Sequence, residues 1–499
     1  MRMEATIPTP LTAQRRIHHF INGNYTAAAD GAYFEKRSPL DGSLVALVAE
    51  AGVAEVDDAV FAAKTALRGP WGKLTVNERV QLLYSVADEI MRRFDDFLVA
   101  EVTDTGKPVS LARTLDIPRA AENFKIFADI IKNNGSEFFQ TPTHDRRSAI
   151  NYSVRSPVGV VAVICPWNFP LLLATWKIGP ALASGNTVVV KPSEETPQTA
   201  ALLGEVMNKV GVPPGVYNVV QGFGARSAGE ILAKHPGVDA ITFTGETATG
   251  AEIMKAAAVG ARPVSLELGG KNPSIVFADC DFESAVSGIV RSVFDNCGQV
   301  CLGTERVYVE RPLFQAFVDE LARRVRDLKP GLPDSPGVNL GPLISLKHRE
   351  KVLSFYRLAK EEGASVVSGG GIPDMPEALR EGAWIEPTIW TGLPDSSRVI
   401  REEIFGPCCH IATFDDEAEV VRRANDSPYG LCASIWTRDL ATAHRMAEAV
   451  EAGVVWVNSW FLRDLRTPFG GSKRSGIGRE GGVHSLEFYT ELKNVCVKL

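Results

Sequence analysis

Between Asn151 and Val276, short apolar runs alternate with amphipathic stretches, and this alternation constrains the fold more than any other feature. Val158–Ile164, Thr187–Lys191, Tyr217–Val220, Ala240–Phe243 and Val264–Leu268 read as strands. Leu172–Leu182, Thr199–Val210 and Thr249–Val259 read as the helices between them. Apolar strands separated by helix-length segments require a parallel sheet covered on both faces, so the fold class is α/β. A second alternating block runs from Pro273 to about Val457. From Gly52 to about Asn134 the pattern is helical, with amphipathic stretches such as Val76–Phe94. Ile17–Asn24 reads as a strand ending in an Asn-Gly turn that opens a hairpin. Residues 1–16 are polar and irregular, so a mobile start is expected. The tail ends in a strand, Asn494–Lys498, expected to pair with a partner rather than with its own domain. There is no internal repeat or low-complexity segment.

Composition limits the function. A chain of 499 residues makes two large domains or three ordinary ones. Its net charge of −7 argues against nucleic acid or an anionic membrane as the main partner. The most apolar stretch, Val158–Trp176, is broken by Pro166, Asn168 and Pro170, so it reads as strand–loop–helix rather than a membrane span. Met1–Arg16 has no apolar signal core, which points to a cytoplasmic protein. Eight cysteines in so long a chain do not make a disulfide scaffold. Cys297 and Cys301 have no second Cys/His pair at finger-like spacing, so no metal is expected.

Three residues carry the candidate chemistry. Cys301 sits in a loop marked by Gly and Gln, just before an apolar run, Arg306–Val309. A thiol exposed there can act as a nucleophile, although a lone cysteine is more often a small buried hydrophobe. Glu267 ends an apolar strand and precedes Gly-Gly. A carboxylate at the C-terminal end of a parallel strand points into the usual ligand crevice and can activate water if burial raises its pKa. The alternative is a structural pair with Lys271. Asn168 lies between Trp167 and Phe169 in a loop stiffened by Pro166 and Pro170. Its amide can donate to an oxyanion beside the Cys301 backbone N–H, a contribution of roughly 3 kcal/mol per donor, or it can simply satisfy a turn. Thiol, carboxylate and amide together are the parts needed to oxidise an aldehyde through a thioester.

A dinucleotide is the expected cofactor. Lys191 ends a strand and is followed three residues later by Glu194. The lysine can hold ribose hydroxyls, and the glutamate can accept from the 2′-hydroxyl and repel a 2′-phosphate, which favours NAD over NADP. Phe243-Thr-Gly245 opens a helix directly after a strand, a position suited to pyrophosphate. Gly222-Phe-Gly224 is weaker evidence, and no GxGxxG is present. Ordinary strand–helix turns give similar patterns.

Taken together these motifs resemble the aldehyde dehydrogenase superfamily over nearly the whole chain. The resemblance implies Cys301 as nucleophile, Glu267 as base and Asn168 as oxyanion donor. It implies a cofactor site for NAD at Ile164, Trp167, Lys191, Ser193, Glu194, Gly224, Phe243, Gly245, Leu268, Glu403 and Phe405, with Lys177 near the active site. It also implies a Rossmann-type coenzyme domain (17–135 and 156–266), an α/β catalytic domain (267–482) and a small bridging β-arm (136–155 and 483–499). Homodimers or homotetramers would form through that arm. Two departures from the family pattern are informative. Glu246 replaces the usual serine, which leaves the phosphate contact there open. Arg463 stands where many relatives place an aromatic in an apolar substrate tunnel. A buried arginine asks for an anion, and Arg119 falls on a segment implied to line the same tunnel. Two arginines can clamp a carboxylate, with Phe469 at the tunnel mouth. The alternative is that Arg463 and Arg466 pair with Asp464 at the surface.

The stretches Trp456–Arg466 and Gly478–Leu492 are similar to the branch of that family that oxidises 2-hydroxymuconic and 2-aminomuconic semialdehydes. These substrates carry an aldehyde at one end and a carboxylate at the other, which matches two arginines. A broad-specificity aldehyde dehydrogenase is the first rival, and Arg463 argues against it. A CoA-acylating enzyme is the second, and Glu267 argues against it because a water-activating base would destroy the thioester. A non-catalytic protein on the same scaffold would not need Cys301, Glu267 and Asn168 together.

Overall fold

A computed structural model describes residues 15–499. The expected mobile start falls on residues 1–16, of which 1–14 lie outside the described residues. Two large sheets dominate. The first has eight strands in the order Gly476–Ile477, Val264–Glu267, Ala240–Thr244, Val160–Ile164, Thr187–Lys191, Tyr217–Val219, His19–Ile21 and Asn24–Thr26. Its five central strands are parallel, and the strands Ala240–Thr244, Val160–Ile164 and Thr187–Lys191 are buried throughout. The helices Pro170–Ala183, Gln198–Lys209 and Thr247–Ala258 fall close to the expected ranges. The chain runs outward in opposite directions from Val160–Ile164, so a switch point lies between that strand and Ala240–Thr244. Ligands of open α/β sheets bind at the carboxyl ends of strands at such a point.

The expected hairpin is present, with Asn22 and Gly23 both at positive φ in the turn between His19–Ile21 and Asn24–Thr26. The second sheet has seven strands, of which only the edge strand Ser365–Ser368 is antiparallel. It is built from residues 272–457, as the second alternating block predicts. The boundary between the two α/β units is less simple than a cut at residue 267. Gly476–Ile477 leaves the span expected for the catalytic unit and pairs with Leu266 and Glu267 on the first sheet.

The tail strand corrects an expectation. Thr490–Lys498 pairs antiparallel with residues 149–157 of the same chain, from Thr490↔Pro157 to Lys498↔Ala149. With Phe138–Pro142 it forms a separate three-stranded sheet. That sheet exposes Phe138, Phe139, Val154, Leu492 and Val497. Among the described residues, no helix is long and apolar enough to cross a membrane.

Candidate active site

The Cys301 loop is held by backbone conformations that most side chains avoid. Asn296, Cys297 and Gly298 have φ of 52°, 57° and 68°, three successive left-handed residues. At Gly298 a Cβ would run into the Gly406–Pro407 backbone, so only glycine fits. Asn296 donates to the carbonyls of Asn168 (3.0 Å) and Gln299 (3.2 Å), which closes the turn against the Asn168 loop. Asn272 donates to the Cys301 carbonyl at 2.7 Å. The thiol itself is half-buried and borders a cleft of about 520 Å³.

Asn168 lines the same cleft from the loop that follows Val160–Ile164. Its Nδ2 donates to the Gln299 carbonyl at 3.0 Å. An amide nitrogen carries two protons, so one N–H is left for a ligand oxygen.

Glu267 ends the strand Val264–Glu267 and is buried, with Oε1 free of any partner. Burial, reinforced by the nearby Glu480 carboxylate, pushes its pKa up to about 8. The expected alternative, a pair with Lys271, does not form: Lys271 binds Glu305 on the neighbouring strand instead. Lys177 is also buried and holds Glu480 at 2.7 Å, and Ser265 donates to the same carboxylate at 3.0 Å. Glu480 was not legible as a site residue, because only the fold brings it to Lys177.

Burial pushes the Cys301 thiol up to about 12, and the Glu267 and Glu403 carboxylates add to the rise. The local field therefore favours the protonated thiol, opposed by Arg463 and the Leu302 backbone N–H.

All eleven residues expected at a cofactor line the cleft: Ile164, Trp167, Lys191, Ser193, Glu194, Gly224, Phe243, Gly245, Leu268, Glu403 and Phe405. Lys191 and Glu194 stand 3.3 Å apart at the end of their strand. The helix Thr247–Ala258 starts in the cleft with no side chain capping it, so its first N–H groups are available to an anion. Glu246 precedes it. Its side chain is well exposed and lies 3.9 Å from Lys351 on the opposite wall, so it does not point at those N–H groups. Glu403 accepts from the Gly270 N–H at 2.8 Å, and a Cβ on Gly269 would run into its carboxylate. These features fit a dinucleotide. His348 lines the cleft unforeseen, packing on Trp167 (ring centroids 5.1 Å apart) and bonding the Phe405 carbonyl at 2.8 Å.

Arg463 packs against aromatic side chains. Its guanidinium lies 3.8 Å from the Phe469 ring centre and 4.8 Å from that of Trp176. The residue is partly exposed, but Nη2 is sealed and has no partner. Burial lowers its pKa to about 10, and the like charge of Arg119 adds to the drop. Arg466, not Arg463, takes Asp464, at 2.6 Å on the surface. Burial also lowers the pKa of Arg119.

Fold and site together define a nicotinamide-type thiol dehydrogenase scaffold, and the aldehyde dehydrogenase family model matches residues 25–495. The chain belongs to that family. It is 65% identical over 97% of its length to a 2-hydroxymuconic semialdehyde dehydrogenase of Pseudomonas sp. (strain CF600), all of which is covered. It is 55% identical over 97% of its length to a 2-aminomuconic 6-semialdehyde dehydrogenase of Pseudomonas sp., 98% of which is covered. The NAD+ complex of an aldehyde dehydrogenase from Bacillus cereus superposes with a TM-score of 0.93 at 39% identity, with 97% of each chain covered.

Proposed function

We propose that this enzyme oxidises 2-hydroxymuconic semialdehyde, or its 2-amino counterpart, to the dicarboxylic acid with NAD. The observation that carries the substrate class is the sealed, unpartnered Nη2 of Arg463, with the like charge of Arg119 nearby. An anion relieves both, and a carboxylate at the far end of a semialdehyde supplies it while the aldehyde reaches Cys301. The activities of the two Pseudomonas relatives support the same substrates.

Cys301 Sγ attacks the aldehyde carbon, and Glu267, with its pKa near 8, takes the thiol proton. The free N–H of Asn168 and the Cys301 backbone N–H stabilise the tetrahedral oxygen. When bound, the oxidised nicotinamide supplies the two-electron acceptor that converts this adduct to the thioester. Glu267 releases that proton to solvent, then removes one from water as its oxygen attacks the thioester carbon, and returns it to the Cys301 sulfur as the C–S bond breaks. The carboxylate of Glu194 favours NAD by repelling a 2′-phosphate. Lys191 would hold the ribose, Glu403 and Phe405 the nicotinamide riboside. We also propose a cytoplasmic homo-oligomer, dimer or tetramer, supported by eight free cysteines and by the apolar face of the sheet containing the tail.

The test is NAD reduction with freshly generated 2-hydroxymuconic semialdehyde against a neutral aldehyde of similar length. A strong preference for the muconic substrate is expected. Equal or better turnover of the neutral aldehyde overturns the substrate assignment.

A further inference from the structure

Behind the Asn168 loop lies a buried charge cluster that the reaction as described does not use. Lys107, Asp116 and Glu101 are each almost completely inaccessible. Lys107 Nζ bonds Asp116 Oδ2 at 2.5 Å and stands 3.8 Å from Glu101 Oε1. Its third neighbour is the backbone carbonyl of Asn168, at 2.9 Å. The same ammonium sits 4.5 Å from the ring centre of Phe169, the next residue. Glu101 Oε2 accepts from the Leu171 N–H at 3.4 Å. The cluster therefore holds the chain at Asn168, Phe169 and Leu171, across the end of the loop and the start of the helix.

The two carboxylates are not equivalent. Burial raises both, Glu101 well above the usual carboxylate range, and Asp116 is the nearer partner of Lys107. Removing an ion pair from water is costly, and an apolar trio would fill this space at no such cost. The backbone adds a second oddity. Ala112–Asp116 forms a π-helical turn directly before the helix Ile117–Lys132. Such a turn inserts a residue and re-aims the side chains around it, and it is frequent at functional sites. Here it places Asp116 inward against Lys107, three residues before Arg119 on the same run.

We propose that Lys107 and Asp116 are positioning residues for the reaction: they fix the Asn168 peptide plane so that the free amide N–H of Asn168 aims at the oxyanion. The inference rests on Asn168 being the oxyanion donor. The Asn168 carbonyl accepts from two sides, Lys107 and Asn296. Asn296 belongs to the left-handed turn ahead of Cys301, so loss of Lys107 leaves the carbonyl held only by the loop that carries the thiol. An amide displaced by about 1 Å loses most of its oxyanion stabilisation.

The test is a double-mutant cycle on the holoenzyme, read as the rate of the first burst of NADH. Asn168→Ala should slow the burst by about 10²-fold or more. Lys107→Met should slow it by at least about 10-fold, with KM for the aldehyde and the rate of Cys301 alkylation by iodoacetamide close to wild type. In the Asn168→Ala background, Lys107→Met should add little further loss, because the group it positions is gone. Asp116→Asn keeps the shape of the site and serves if Lys107→Met does not fold. Its burst should fall in the wild-type background only. Lys107→Arg should restore part of the rate by regaining the cation. A Lys107 or Asp116 effect of equal size in both backgrounds, or none, overturns the proposal while leaving Asn168 as the donor. A normal burst in Asn168→Ala overturns the reading of Asn168 and this proposal with it.

Discussion

Replacing Arg463 by Met separates the substrate role of this residue from any structural one. The guanidinium lies between Phe469 and Trp176, 3.8 and 4.8 Å from their ring centres, and methionine fills much of the same apolar slot. A substrate carboxylate loses one of two cationic partners, and Arg119 keeps the other. Truncating one member of a buried charge pair removes about 2–5 kcal/mol. With Arg119 still in place the lower part of that range applies, about 2–3 kcal/mol, or about 30- to 150-fold in kcat/KM for the muconic semialdehyde. A neutral aldehyde of the same length should lose almost nothing, and can gain. The ligand-free protein should not be destabilised. Arg463 gives up part of its hydration without gaining a counter-ion, as the fall of its pKa to about 10 reflects. Because the residue is partly exposed, relief of that burden is only on the order of 1–2 kcal/mol. The assay is kcat/KM for both aldehydes together with a thermal melt of the free enzyme. An equal loss for both substrates, or a large fall in melting temperature, would refute the carboxylate role and make Arg463 a structural residue.

Further outcomes follow from the site. Cys301→Ala should abolish oxidation while leaving cofactor binding measurable by fluorescence titration. Glu267→Gln should release at most one equivalent of NADH and then stall, and an unaltered steady rate would rule Glu267 out as the base. A carboxyl raised to about 8 is protonated below that pH, so the hydrolytic rate should climb as pH passes through about 8. The same shift means that folding favours protonated Glu267 from about 4.5 to 8, so its contribution to stability falls as pH rises through that window. Glu194→Gln should improve kcat/KM with NADP relative to NAD by several-fold, since one like charge near the 2′-phosphate is removed. No change in that ratio would take Glu194 out of cofactor choice.

Elements whose signal is local and strong were legible in the sequence. The strand Thr187–Lys191 lies where its apolar run predicts, and the Asn22-Gly23 turn follows from residues that tolerate positive φ. The short helix Ala228–Lys234 was not legible, since seven residues after a Gly-rich loop carry too little periodicity. The partner of the tail strand is also invisible locally, because it lies more than 300 residues away. The same limit applies to charges. Arg463 and Arg466 read alike in sequence, and only the turn geometry gives Asp464 to Arg466. Lys271 was a plausible partner of Glu267 four residues before it, yet it directly precedes the strand Asn272–Val276 beside Thr304–Glu310 and meets Glu305 there. The π-helical turn at Ala112–Asp116 has no sequence mark of its own, so Asp116 and Lys107 could not be read as a pair.

The charges around the thiol show what the substrate must bring. Four lysines of the site are each matched by a carboxylate: Lys107 by Asp116, Lys177 by Glu480, Lys191 by Glu194 and Lys271 by Glu305. Within those pairs Asp116 Oδ1 and Glu480 Oε2 also stay unbonded, and beside them two further groups matter for the reaction. Glu267 keeps a buried oxygen free, and Arg463 keeps a sealed nitrogen free. Leaving such an atom unpaired lowers stability by about 1–3 kcal/mol. The two free groups differ in sign and in task. Glu267, a base near pH 8, lacks a proton donor, and water attacking a thioester is one. Arg463, repelled by Arg119, lacks an anion, and a carboxylate fixed at the other end of the same molecule is one. A monofunctional aldehyde answers only the first. A semialdehyde with a terminal carboxylate answers both, which is why removing Arg463 should act on substrate choice and removing Glu267 on turnover.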